Sequence, residues 1–120
     1  MLHLVRHGRP LAVRGVPAAE WDLDPAAYDD VWALRASGRL PTRAAWFTSP
    51  EPKAIQTAQL LTDADVPAVR RVLAVHAGED VVLVGHGTAW TLVVAALTGG
   101  PADVDRWRTL AMPDLITVDT

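Results

Sequence analysis

Three separated points of the chain carry side chains suited to a phosphate. Arg6 and His7 end the run Leu2-His3-Leu4-Val5, Lys53 follows Ser49-Pro50, and His86 ends the run Val81-Val82-Leu83-Val84-Gly85. Two fixed cations and two imidazoles gathered in one crevice suit a phosphate dianion. An imidazole is also a nucleophile near neutral pH when its second ring nitrogen is held as a donor, which fixes the tautomer. Phosphoryl transfer asks the protein mainly for positioning and charge stabilisation. The chemistry therefore depends on whether the fold gathers these points. A metal site is the rival use of clustered histidines, but Arg6 and Lys53 would repel a divalent ion.

The elements that must do the gathering are readable. Residues 2–6 read as a short buried strand ending at His7-Gly8. Residues 9–25, with Pro10, Gly15, Pro17 and Pro25, read as a long loop. Asp29 is placed to cap a helix reaching residue 36, with Gly38 just beyond its end. Residues 44–48 form a second short strand, and Ser49-Pro50 open a helix to residue 61 with Ile55, Ala58 and Leu61 on one face. A helix is expected over 68–77, stopped by Gly78. Residues 81–85 are the clearest strand, a continuous apolar run of the kind covered on both faces. A helix to residue 98 closed by Gly99-Gly100, a helical stretch in 101–110 and a strand over 115–119 complete the chain.

Strands alternating with helices predict one three-layer α/β/α domain over residues 1–120 with a mainly parallel sheet. Ligands of such sheets sit beyond the carboxyl ends of the strands. His7, Ser49 and His86 each follow a strand, so they are expected at one edge, with Lys53 a turn into the helix after Ser49. Gly8 and Gly87, directly after the two histidines, are expected to turn the backbone sharply and admit a ligand.

Composition narrows the partners. The 120 residues carry a formal net charge of -3, which gives no global attraction for nucleic acid or an acidic membrane. The hydrophobic fraction of 50% suits a packed core, yet no apolar run is long enough to span a bilayer. Absence of cysteine removes a thiolate nucleophile, a disulfide scaffold and a zinc ribbon, and fits a reducing cytoplasm.

The segments Leu4-Val5-Arg6-His7-Gly8, Ser49-Pro50-Glu51-Pro52-Lys53-Ala54-Ile55-Gln56-Thr57-Ala58 and Val82-Leu83-Val84-Gly85-His86-Gly87 resemble, in order, the three signatures of the histidine phosphatase superfamily, the phosphoglycerate mutase-like group. The resemblance covers most of the chain. It implies that His7 is a nucleophile forming a phosphohistidine that water hydrolyses. It implies too that Arg6, Lys53 and His86, with Gly8 beside them, bind the transferring phosphoryl group without metal or cofactor. It implies a reduced sheet of about four strands in the order second, third, first, fourth, with the last antiparallel.

Two features depart from the family pattern. Lysine replaces the usual arginine at position 53, giving a point charge instead of a two-pronged fork. The segment between the second and third signatures is short, and it lacks the family's inserted strand, lid and acid. Glu79 and Asp80 precede the third strand, whose rise of ~3.3 Å per residue leaves them roughly 15 Å or more from His86. Glu20, Asp22 and Asp24, in the loop after the first strand, are the candidate acids.

These readings point to a cytoplasmic, metal-independent phosphatase acting on a phosphorylated small molecule or a phosphoprotein. Its substrate would be a phosphomonoester or a protein phosphohistidine. The alternative is a weak or inactive phosphate-binding member of the same group. A homodimer through an exposed sheet edge or the tryptophans is a further expectation. His3 and His76 read as structural or solvated, Arg9 as a loop charge, Ser49 as a helix cap, and Trp21 and Trp90 as packing residues.

Overall fold

The computed structural model describes residues 1–69 and 80–118. Among these, four strands form one sheet in the order β2-β3-β1-β4, with β1 at Leu2–Arg6, β2 at Ala45–Thr48, β3 at Val81–Gly85 and β4 at Asp114–Val118. Both β1 and β2 run parallel to β3, and β4 runs antiparallel to β1, as expected from the sequence. The register pairs Arg6 with Gly85 and Thr48 with Val84, so three parallel strands end nearly level.

Apolar alternation in the strands feeds two cores, one on each face of the sheet. Val5, Val82, Val84 and Trp46 meet Val31 and Leu34 of α1 (Tyr28–Ala36) and Ala54, Ala58 and Leu61 of α2 (Pro52–Leu61). On the other face Leu2, Leu4, Val81 and Leu83 meet Trp90, Val93 and Val94 of α3 (Gly87–Thr98) and Leu110, just past α4 (Val104–Thr109). Every residue of β3 is buried, the pattern of a strand covered on both sides. Each Val or Leu buried there contributes about 1.5–3 kcal/mol. Helix α3 ends at Gly99, whose φ of 71° is the left-handed turn that glycine takes without strain. Among the described residues no helix is long and apolar enough to cross a membrane.

Three local expectations are corrected. Asp29 lies inside the first turn of α1, where its charge favours the helix dipole. The capping carboxylate is instead Asp24, which accepts from Ala26 N at 2.9 Å and starts the 3₁₀ turn leading into α1. The buried stripe of α2 is Lys53, Ala54, Thr57, Ala58 and Leu61, with Ile55 at its margin. The helix expected from residue 68 does not begin there. Thr48 N donates to Pro67 O and Val69 N donates to Thr48 O, so Ala68 makes a parallel bridge on the outer edge of β2. Unpaired backbone groups on that edge outweigh local helix preference. The rest of that expected helix, with His76, lies outside the described residues, as does Glu79 beyond it.

Candidate active site

The site grows from the carboxyl ends of the three parallel strands. His7 N donates to Gly85 O at 2.8 Å and Ser49 N to Val84 O at 2.9 Å, which ties both outer strand ends to β3. His86 caps α3, and its carbonyl accepts from Trp90 N at 2.9 Å. The rings of His7 and His86 therefore stand 5.3 Å apart between centroids, edge to face at 61°.

His7 is held in one state. Its Nδ1 lies 2.7 Å from Gly8 O, an acceptor, so Nδ1 carries the proton and the lone pair resides on Nε2. Gly8 N donates to Thr57 Oγ1 at 2.9 Å, and Thr57 Oγ1 donates to Lys53 O at 2.7 Å. This buried chain fixes the His7 ring to the first turn of α2. Burial lowers the His7 pKa from 6.5 to about 4; the Gly8 contact opposes this, and His86, Lys53 and Arg6 add to it. The ring is thus neutral at pH 7.

His86 Nε2 faces two oxygens, Glu51 Oε2 at 2.7 Å and Ser49 Oγ at 2.9 Å. A contact of 2.7 Å between a ring nitrogen and a carboxylate oxygen has a proton between them. Burial lowers the His86 pKa; Glu51 opposes that, and Lys53 and Arg6 reinforce it. Ser49 Oγ also accepts from Glu51 N at 3.3 Å, but Glu51 holds the cap position of α2 and no side chain caps that helix, so Ser49 is a neighbour of the histidine and not the expected helix cap.

The two cations differ in their anchoring. Arg6 Nη1 donates to Leu110 O at 2.8 Å, while its buried Nε has no hydrogen-bond partner. Lys53 is only 6% exposed. Its ammonium donates to Ala18 O at 2.7 Å, lies 3.7 Å from Glu51 Oε2, and sits 5.9 Å from the centre of the Trp21 ring. One carbonyl, one distant carboxylate and a π face satisfy a buried ammonium only in part. The site therefore holds donors in excess of acceptors, the condition for taking an anion.

No family model matches the sequence, and no curated protein matches it. Solved structures do. SixA of Agrobacterium tumefaciens, assigned to the phosphohistidine phosphatases, has a TM-score of 0.71 at 18% identity, over 95% of this chain and 87% of its own. YhfR of Bacillus stearothermophilus has a TM-score of 0.70 at 17% identity, over 98% and 91%. A phosphoserine phosphatase of Entamoeba histolytica has a TM-score of 0.63 at 13% identity, over 99% and 96%. The fold is that of the histidine phosphatase superfamily.

Within this histidine phosphatase fold, Arg6, His7, Lys53 and His86 share one strand-end edge. The three carboxylates of the long loop have other attachments. Asp22 Oδ1 accepts from Gln56 Nε2 at 2.8 Å, Asp24 caps Ala26 and lies 3.8 Å from Arg9, and Glu20 is exposed on the 3₁₀ turn Ala18–Glu20. The carboxylate in contact with His86 is Glu51. The glycines also act otherwise than expected. Neither Gly8 nor Gly87 has a positive φ, so neither makes a sharp left-handed turn. A Cβ on Gly8 would stand 2.7 Å from Leu23 Cδ1, and one on Gly87 would stand 3.1 Å from Arg6 Nε. Gly8 N is committed to Thr57, so Gly8 holds His7, and Gly87 makes room for the guanidinium. His3 lies at the opposite end of the sheet, 3.3 Å from Asp80.

Sequence reasoning missed Glu51, Ser49 as a neighbour of His86, and the Leu110 carbonyl. A signal for Glu51 existed. It lies two residues from Ser49 and two from Lys53, on the stretch that leaves the edge of β2.

Proposed function

We propose that this protein is a metal-independent phosphatase that hydrolyses a phosphomonoester or a protein phosphohistidine through a phosphohistidine on His7. The observation that carries this is the state of His7: neutral, its proton held on Nδ1 by Gly8 O, and no described residue bonded to its Nε2. Nε2 attacks phosphorus, and the leaving group departs with the electron pair of its bond. Water then attacks the phosphohistidine and frees Nε2. Arg6, Lys53 and His86 surround the phosphoryl oxygens and stabilise charge as it develops. Arg6 and Lys53 supply there the positive charge that a metal would supply. Among the described residues no three His, Asp or Glu side chains are grouped to hold one. The short connection between α2 and β3 favours substrates that need little enclosure, including a phosphate borne on a protein in the cytoplasm.

A second reading has its own support. Lys53 already donates to Ala18 O and faces Glu51, as in a site that binds phosphate weakly and does not turn it over. One experiment separates the two. Wild type and His7→Ala are incubated with an aryl phosphate and a chelator, and phosphoprotein is trapped by rapid quenching with radiolabelled substrate. Turnover with an acid-labile, base-stable phosphoprotein, both falling by on the order of 10³-fold or more in His7→Ala, is the expected result. Full activity in His7→Ala removes the phosphatase reading. Phosphate-dependent thermal stabilisation without any phosphoprotein supports the second.

A further inference from the structure

We propose that Glu51 is the proton donor to the leaving group, and the base that later takes a proton from the attacking water. This rests on the phosphatase reading and goes beyond it by naming the acid. Glu51 is the cap residue of α2, three positions past the end of β2, with its side chain 28% exposed, so it touches both the site and solvent. Oε2 contacts His86 Nε2 at 2.7 Å and lies 3.7 Å from Lys53 Nζ. The groups facing it are thus His86 from the start of α3 and Lys53 and Ser49 from its own segment, with Arg6 and His7 beyond His86.

Phosphate changes the proton balance at this point. An arriving dianion competes with the Glu51 carboxylate for His86 Nε2 and for the Lys53 ammonium. It also places negative charge beside the carboxylate. Glu51 then holds a proton next to the group that must leave. As His7 Nε2 bonds to phosphorus, the bond from phosphorus to the leaving oxygen or nitrogen breaks, its electron pair stays on the departing atom, and that atom takes the Glu51 proton. In the second step water bonds to phosphorus, the bond from Nε2 to phosphorus breaks, and the water proton returns to the Glu51 carboxylate. The sum is one water consumed, one phosphate released and the enzyme restored. Asp22 and Asp24 are tied to Gln56, Ala26 and Arg9, and no comparable contact links either to the histidines.

The test compares wild type, Glu51→Gln and Glu51→Asp on aryl phosphates whose phenols range from strongly to weakly acidic. The quantity read is kcat/KM, which ends at phosphorylation of His7. Glu51→Gln is expected to lose less than about threefold on the most acidic phenol and about 10²-fold or more on the least acidic. Glu51→Asp, which keeps a proton donor, is expected to keep the shallow dependence of wild type. Loss of the alkaline limb of the pH profile in Glu51→Gln is expected alongside, since the limb reports loss of the donated proton. A uniform loss across the series, or a rise in activity, overturns the proposal; a rise would make the carboxylate only a competitor for the anion. Phosphoprotein from the best substrate keeps the two readings apart. If wild type forms none, the His7 reading fails; if Glu51→Gln forms it normally yet shows no dependence on the phenol, only the Glu51 proposal fails.

Discussion

Replacing Thr57 by valine should disturb His7 without touching it. The Thr57 side chain is fully buried, and its Oγ1 accepts from Gly8 N at 2.9 Å while donating to Lys53 O at 2.7 Å. Valine keeps the volume and the branching, so packing changes little. What changes is that a buried N–H loses its acceptor, a loss of about 1–3 kcal/mol. Lys53 O is affected less, because it lies in the first turn of α2 and has the helix ladder. For a chain of this size about 2 kcal/mol corresponds to a fall in Tm of roughly 8 °C. The residue so loosened is the one whose carbonyl fixes His7 Nδ1, and small misplacements of reacting groups cost up to ~10²-fold. A drop of about tenfold in the rate of His7 phosphorylation should accompany the lower Tm. Thermal unfolding by circular dichroism and quenched-flow trapping of phosphoprotein measure both. Thr57→Ser, which keeps the hydroxyl, should retain the rate even where the lost methyl lowers Tm. If Thr57→Val melts within about 1 °C of wild type and phosphorylates at the same rate, the chain from α2 to the imidazole has no mechanical role.

Gly85→Ala should destabilise through a clash, since its Cβ would stand 2.5 Å from Trp90 Cζ2, and should displace the indole N–H that donates to Val5 O at 2.7 Å. Overpacking of this kind costs about 1–3 kcal/mol, to be read as a lower urea midpoint, and an unchanged midpoint would contradict it. The pH dependence of stability should carry the mark of His7. Its folded pKa of about 4 lies below 6.5, so the unfolded chain binds more protons between these values. Stability is then complete above pH 6.5 and falls as pH drops toward 4, by up to about 3 kcal/mol. His86, lowered for the same main reason, acts in the same direction. Urea titrations across this range should give a flatter profile for His7→Gln, and equal profiles would assign the acid sensitivity elsewhere.

The sequence is most legible where one local pattern decides the outcome. Four successive Val and Leu residues allow little but a central strand, and β3 occupies residues 81–85 as expected. The strand order came with the family resemblance that the three signatures carry, and the sheet has it. What stayed hidden was decided by tertiary contact. Ala68 and Val69 answer to the free edge of Thr48, which no window of local sequence contains. Glu51 lies inside the second signature, but no local pattern shows that its carboxylate meets His86, which belongs to a different strand end. Gly8 and Gly87 are constrained by packing and not by the sharp turn expected of them. Their hydrogen atoms make room for Leu23 and Arg6, a fact of packing that a glycine in a sequence cannot disclose.

The sheet order has a consequence for how the chain comes off the ribosome. The strand carrying Arg6 lies between its two partners, with Leu2 opposite both Val81 and Val118, so the segment translated early waits for those translated late. Until they emerge, β1 is an apolar ribbon with two unpaired edges, exposed to chaperones and to other nascent chains. Nor does a half-made chain hold the strand-end site, because the imidazole at position 86 and the carbonyl that holds the guanidinium arrive only with the later half. Long-range pairing of this kind makes assembly slow, and it makes the site an all-or-none property of the finished sheet.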